Sequence, residues 1–189
     1  MMTKTPKQTS CIILAGGKGQ RAGGEDKGLI TYKNKPLIQH VIDSVAPQTD
    51  EIIISANRNL NIYKQYTNQV ISDSADDYKG PLAGIASCLH HCKYEQVLVV
   101  ACDMPCLPEN LVERLNEKLL DHSISIAMVN HHHQLALLVK KTLADSIILR
   151  VNNNQLKLIQ WVESLPYATV DFDDNPNAFL NLNTLGEED

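Results

Sequence analysis

The chain has 189 residues, of which 43% are hydrophobic and 21% charged, and its 17 basic and 22 acidic side chains leave a formal net charge of -5. That length suits one domain with a sizeable core, residues 1–189. The acidic balance removes the electrostatic support for a nucleic-acid partner, so none is expected. The longest apolar run, the six residues 97–102, is far too short for a membrane span. The polar leader Met1 to Ser10 is followed by an apolar segment too short for a signal-peptide core, which makes the cytoplasm the expected location.

In chain order, short β-rich runs alternate with helical periods. Strands are expected at Cys11 to Leu14, Glu51 to Ser55, Val70 to Ser72, Gln96 to Ala101 and Ser125 to Val129. A helix carrying Leu37, Ile38, Val41, Ile42 and Val45 opens behind Pro36, and another carrying Leu111, Val112, Leu115 and Leu119 opens behind Pro108. Such alternation defines an α/β chain in which helices cover both faces of a mostly parallel sheet, a three-layer arrangement. A further strand at Gln134 to Val139 follows a histidine-rich connection so short that it must run antiparallel to its predecessor, making the sheet mixed. Helices are expected at Thr142 to Val151 and Gln155 to Leu165, split by Asn152, Asn153 and Asn154, then a strand at Ala168 to Phe172 and a frayed tail at Gly186 to Asp189.

The first strand runs directly into LAGGKGQRAGGEDK, residues 14–27, which holds five of the nine glycines together with Lys18, Arg21 and Lys27. Bare backbone at the carboxyl end of a central strand lets N–H groups approach phosphate oxygens, and the three cations supply countercharge. A polyphosphate ligand is therefore favoured over a plain surface turn. Gly17, Gly19 and Ala22 satisfy the dinucleotide pattern, yet Gly23 and Gly24 follow where a helix should open. No Gly-Lys-Ser/Thr completes a P-loop. Five cysteines, an odd number, fit reduced thiols. Cys88, Cys92, Cys102 and Cys106 read better as small buried side chains than as a zinc site, and His131, His132 and His133 as a solvated turn.

The loop LAGG-x-G-x-R-x-GG-x-DKGL resembles the signature of the molybdenum cofactor guanylyltransferases, a nucleotidyltransferase family. The resemblance extends through Lys35-Pro36-Leu37, Ala56-Asn57-Arg58, Asp73-Ser74, Gly80-Pro81-Leu82-Ala83-Gly84, Cys102-Asp103-x-Pro105 and Asn181-x-Asn183-Thr184. It implies a Rossmann-like nucleotidyltransferase fold and transfer of GMP from Mg-GTP to the terminal phosphate of molybdenum-molybdopterin, with release of pyrophosphate.

The same resemblance implies nucleotide contacts at Leu14, Ala15, Gly16, Gly17, Lys27, Ser55, Asp73, Gly80, Pro81, Leu82 and Asp103. Arg21, Lys27 and Asp103 would carry catalysis, with Asp103, at a strand end, as the ligand of Mg2+. Asn181 and Asn183, two apart on an extended segment and so on one face, would meet the pterin. Transient contact with cofactor-delivering or molybdoenzyme-maturation proteins is a further expectation. Ser55 stands where the family usually has asparagine. Gly16 sets the chain apart from cytidylyl relatives, which tend to carry alanine there. A sugar-phosphate nucleotidyltransferase and a non-catalytic nucleotide-binding protein are the remaining alternatives.

Overall fold

The computed structural model describes residues 8–16, 26–72 and 80–181. Gly17, Lys18, Arg21, Asp73 and Asn183 lie outside the described residues, as does the tail at 186–189.

A seven-stranded sheet organises the chain. Its strands are β1 (Thr9–Leu14), β4 (Glu51–Ser55), β5 (Val70–Ile71), β6 (Gln96–Ala101), β7 (Ile124–Val129), β8 (His132–Lys140) and β9 (Tyr167–Asp171), in the spatial order β5-β4-β1-β6-β8-β7-β9. β1 pairs in parallel with both β4 and β6, β4 with β5, and β7 with β9. β8 is antiparallel to both β6 and β7, so the sheet is mixed as the sequence implies. The two-residue turn before β8 places Asn130 and His131 at positive φ, 48° and 63°. His132 and His133 belong to the strand itself, correcting the expectation that all three histidines form a turn.

Alternation along the strands splits the core in two. Cys11, Ile13, Leu98 and Val100 face one side, where α1 (Leu37–Val45) and α4 (Leu111–Leu119) contribute Ile38, Val41, Val45, Leu111, Leu115 and Leu119. Ile12, Val97 and Val99 face the other, against α3 (Pro81–Leu89), α5 (Ala144–Asn152) and α6 (Leu158–Glu163). Strands covered on both faces are apolar along most of their length, which is why residues 11–14 of β1 and 97–101 of β6 read as hydrophobic runs. Three further elements lay below the sequence signal: α2 (Leu60–Tyr63) and the hairpin of β2 (Thr31–Tyr32) with β3 (Lys35–Pro36). That hairpin turns through Lys33 and Asn34, both at positive φ, the backbone of a tight two-residue turn.

At the amino ends of β1 and β4, Glu51 ties three segments together. Its carboxylate accepts hydrogen bonds from Ser10 Oγ at 2.5 Å, the Lys93 N–H at 2.7 Å and Gln69 Nε2 at 2.8 Å. Partial burial raises the carboxyl pKa, but these donors outweigh it and hold Glu51 below its ordinary 4.5. A lowered carboxylate contributes stability that is complete above the unfolded pKa and lost as pH falls through the folded one. We expect Glu51→Gln to cost about 1–3 kcal/mol at neutral pH. In acid the variant should lose less stability than the parent between pH 7 and pH 3, measured by urea denaturation across that range.

Candidate active site

Three parallel strands end level with one another. Leu14 is in register with Ser55 on one side and Ala101 on the other, and the ladder continues one step further, with the Ala15 N–H donating to Ser55 O at 2.8 Å and the Cys102 N–H to Leu14 O at 3.1 Å. The chain runs from β1 outward to β4 and β5, then returns to the opposite side of β1 with β6. In open α/β sheets that change of direction leaves a crevice beyond the carboxyl ends of the strands. Here it is a cleft of about 270 Å3 lined by Leu14, Ala15, Gly16, Lys27, Ser55, Gly80, Pro81, Gly84, Ala101, Cys102, Asp103 and Leu135. The expected residues Leu14, Ala15, Gly16, Lys27, Ser55, Gly80, Pro81 and Asp103 are thus brought together.

Two charges meet in it. Asp103 follows β6, and Lys27 opens a 3-10 turn, Lys27–Leu29, on the far side of the glycine-rich segment. Lys27 Nζ donates to Asp103 Oδ2 at 3.2 Å, the two side chains being 30% and 17% exposed. The pair is wet enough to exchange partners yet shielded enough for its charges to act strongly on a ligand. Cys102 beside it is buried, and burial, then the nearby carboxylates of Asp103 and Asp26, push its thiol above the ordinary range.

The opposite wall is the start of α3. Gly80 caps this helix at φ 81° and ψ -173°, a conformation essentially confined to glycine, and Pro81 occupies the first turn. Gly84 lies against the strand ends: a Cβ there would fall 2.8 Å from Ser55 Oγ and 3.0 Å from Leu14 Cδ2. Leu82 is the exception among the expected residues. It shares the sheet-facing stripe of α3 with Ile85 and Leu89, and its fully buried side chain packs in the core instead of lining the cleft. What Leu82 can present to a ligand is its backbone N–H in the first helical turn, where no intrahelical carbonyl is available. Asn181, half-buried beyond the 3-10 turn Pro176–Phe179, is not among the lining residues either.

Sequence reasoning missed Gly84, Ala101, Cys102 and Leu135 as cleft residues. Gly84 and Cys102 sat inside motifs already singled out. Leu135 carried no signal, because it reaches the cleft only through the antiparallel pairing of β8 with β6. Cys11, Cys88 and Cys92 are buried like Cys102, whereas Cys106 is exposed and so departs from the expected core role. Among the described residues no cluster of three or more His, Cys, Asp or Glu side chains forms, and no helix is long and apolar enough to cross a membrane.

A cleft at the carboxyl edge of parallel strands, carrying a lysine, a carboxylate and a glycine-capped helix, suits an anionic ligand. Residues 11–164 match the MobA-like NTP transferase domain. The chain is 39% identical over 186 residues to a molybdenum cofactor guanylyltransferase of Shewanella putrefaciens, covering 97% of this chain and 95% of that one. It is 43% identical over 183 residues to one of Photobacterium profundum, covering 96% and 94%. The chain therefore belongs to the molybdenum cofactor guanylyltransferase family, and is an enzyme of the nucleotidyltransferase class. In fold it is similar to a protein of Aquifex aeolicus (TM-score 0.76, 21% identity, 95% of each chain). It is also similar to molybdopterin-guanine dinucleotide biosynthesis protein A of Archaeoglobus fulgidus (TM-score 0.73, 22% identity, 92% of each chain).

The contact at Gly84 gives a test of the geometry. Gly84→Val adds branched carbon where Ser55 and Leu14 leave no room, so it should lower stability by about 1–3 kcal/mol, the usual penalty of overpacking. Gly84→Val combined with Ser55→Ala should recover part of that loss, and a thermal-denaturation double-mutant cycle reads the coupling.

Proposed function

We propose that the chain transfers GMP from Mg-GTP to the terminal phosphate of molybdenum-molybdopterin and releases pyrophosphate, acting in the cytoplasm in molybdenum-cofactor biosynthesis. The observation that carries this reading is the meeting of Lys27 and Asp103 across the mouth of β1, β4 and β6, opposite the first turn of α3, in a chain whose curated relatives are named for guanylyl transfer.

The donor set fits Mg2+. This hard cation takes one or two protein carboxylates and fills its remaining positions with phosphate oxygens and water, and Asp103 offers one carboxylate lining the cleft. Once bound, the metal would supply Lewis-acid polarisation of the phosphates. The chain's own residues perform the rest. Lys27, now against Asp103, has a second set of anionic oxygens to turn to when a triphosphate enters. The free N–H groups of the first turn of α3 face an anion at the positive end of the helix dipole. Gly16 keeps β1's exit open to the ligand, and Ser55 contributes a hydroxyl at the floor in place of a longer amide.

A phosphate monoester, with its second pKa at about 6, is already largely ionised at neutral pH, so the acceptor needs no general base. Catalysis is then positioning plus charge compensation, the parts that phosphoryl-transfer enzymes rely on. Arg21, Gly17 and Asp73 complete the triphosphate site in this reading, and Asn181 with Asn183 meets the pterin. Proteins that deliver the pterin or receive the finished cofactor would be met transiently.

Selective ligand binding stabilises the folded state, so Mg-GTP should raise Tm more than Mg-CTP, Mg-ATP or metal-free GTP. A larger shift with CTP would overturn the guanylyl assignment. Asp103→Asn keeps the side chain's shape and removes its charge. Turnover should drop by about two to four orders of magnitude, the range seen when electrostatic stabilisation is lost, while the variant stays folded. Normal turnover with unchanged magnesium dependence would move attention to Asp73.

A further inference from the structure

Behind the cleft lies a polar cluster that the proposed reaction leaves unused. Asp26, 8% exposed, directly precedes Lys27. Its Oδ1 accepts from Tyr63 Oη at 2.6 Å, its Oδ2 accepts from Asn59 Nδ2 at 2.9 Å, and Arg58 Nε lies 3.7 Å from the same Oδ2. Three side chains from the β4–α2 connection and α2 thus converge on one carboxylate, none of them lining the cleft. Burial, and then donation to Asp26, push the Tyr63 hydroxyl well above its ordinary range, so it remains a donor.

The backbone at the same point is equally constrained. Asp26 O accepts the Leu29 N–H at 2.9 Å, which closes the turn that begins at Lys27. Gly28, the next residue, sits against the phenol: a Cβ there would stand 2.5 Å from Tyr63 Oη. Asn59 holds φ 52°, a left-handed conformation that asparagine tolerates better than most residues and that turns its amide toward Asp26. Lys27 is therefore flanked on one side by an anchored carboxylate and on the other by a glycine pressed on a buried ring, and its own amine ends on Asp103.

We propose that Asp26, gripped by Tyr63, Asn59 and Arg58, is the positioning residue that aims Lys27 into the cleft. It acts through Lys27 and touches no substrate. The clamp makes the start of the Lys27–Leu29 turn a fixed platform for one catalytic cation. This role rests on the proposed function only insofar as Lys27 binds the triphosphate; the geometry it asserts is independent of the reaction.

The experiment therefore reads the amine first. Parent, Tyr63→Phe, Asn59→Gly and Asp26→Asn proteins are treated with a water-soluble acetylating ester, and acetylation of Lys27 is followed by peptide mass spectrometry against the exposed Lys118 as internal reference. Tyr63→Phe keeps the ring, and Asn59→Gly keeps the backbone conformation, so both remain informative if Asp26→Asn does not fold. Release of Lys27 from Asp103 should raise its rate relative to Lys118 at least threefold in each folded variant. An unchanged ratio, even with a lowered Tm, would overturn the proposal and leave the cluster a purely structural one. In the guanylyl-transfer assay the same variants should raise KM for GTP severalfold with little change in KM for the pterin; an equal rise in both KM values would also overturn it. A parent enzyme inactive with Mg-GTP would count against the proposed function, and the acetylation ratio would still decide the clamp.

Discussion

Everything at the site depends on β1 being hydrogen-bonded on both sides by parallel strands whose carboxyl ends are level. A strand so placed is covered on both faces, so its run from Cys11 to Leu14 is apolar. One step beyond Leu14 the ladder stops, and three strand ends have to leave one edge side by side. Only small residues permit that crowding, which accounts for Ala15, Gly16, Ala101 and Cys102 at the exits. The same geometry brings Asp103 and Ser55 to the edge, one residue past the ladder and at its last rung. Chemistry enters the fold where regular pairing runs out.

The edge also has to hold charge that the rest of the molecule does not favour. With a net charge of -5, the protein offers no general attraction to the triphosphate proposed as its ligand, so the countercharge for it would be local and fixed. Lys27 and Asp103 neutralise each other across the cleft, and removing either would leave the other partly buried without its partner, the costlier half of a buried ion pair. That mutual dependence keeps both charges at the mouth of the cleft before any ligand arrives. A ligand that brings anions and a divalent cation together can replace both halves of the pair at once, whereas a simple anion replaces only one.

Legibility in the sequence followed the range of the interactions concerned. The main strands and the helices at Leu37 and Leu111 were readable because their apolar periods are local consequences of facing a core. The antiparallel direction of β8 was readable from a connection too short to cross over. What could not be read was set by distance in space. Leu135 joins the cleft through pairing with a strand some 35 residues earlier. Leu82 was assigned to the ligand by motif, yet its helical phase turns it into the core, a distinction that side-chain periodicity carries and motif matching ignores. The partners of Asp26 come from residues more than thirty positions away, with no local pattern linking them. β2, β3 and α2 are too short for any period to register.

Positions 55 and 84 show how one contact can serve both packing and the cleft. α3 rests so closely on the strand ends that Gly84 has no room for a Cβ beside Ser55 Oγ and Leu14. Any side chain at position 55 is therefore roofed by the helix, and Ser55 itself is 3% exposed. The separation of helix and strand is set by the missing Cβ at 84, so a larger residue there has to displace one of them. Under the proposed function Ser55 would also meet the ligand, so a substitution at 55 would alter ligand contact, whereas one at 84 would alter the spacing of the elements that carry it.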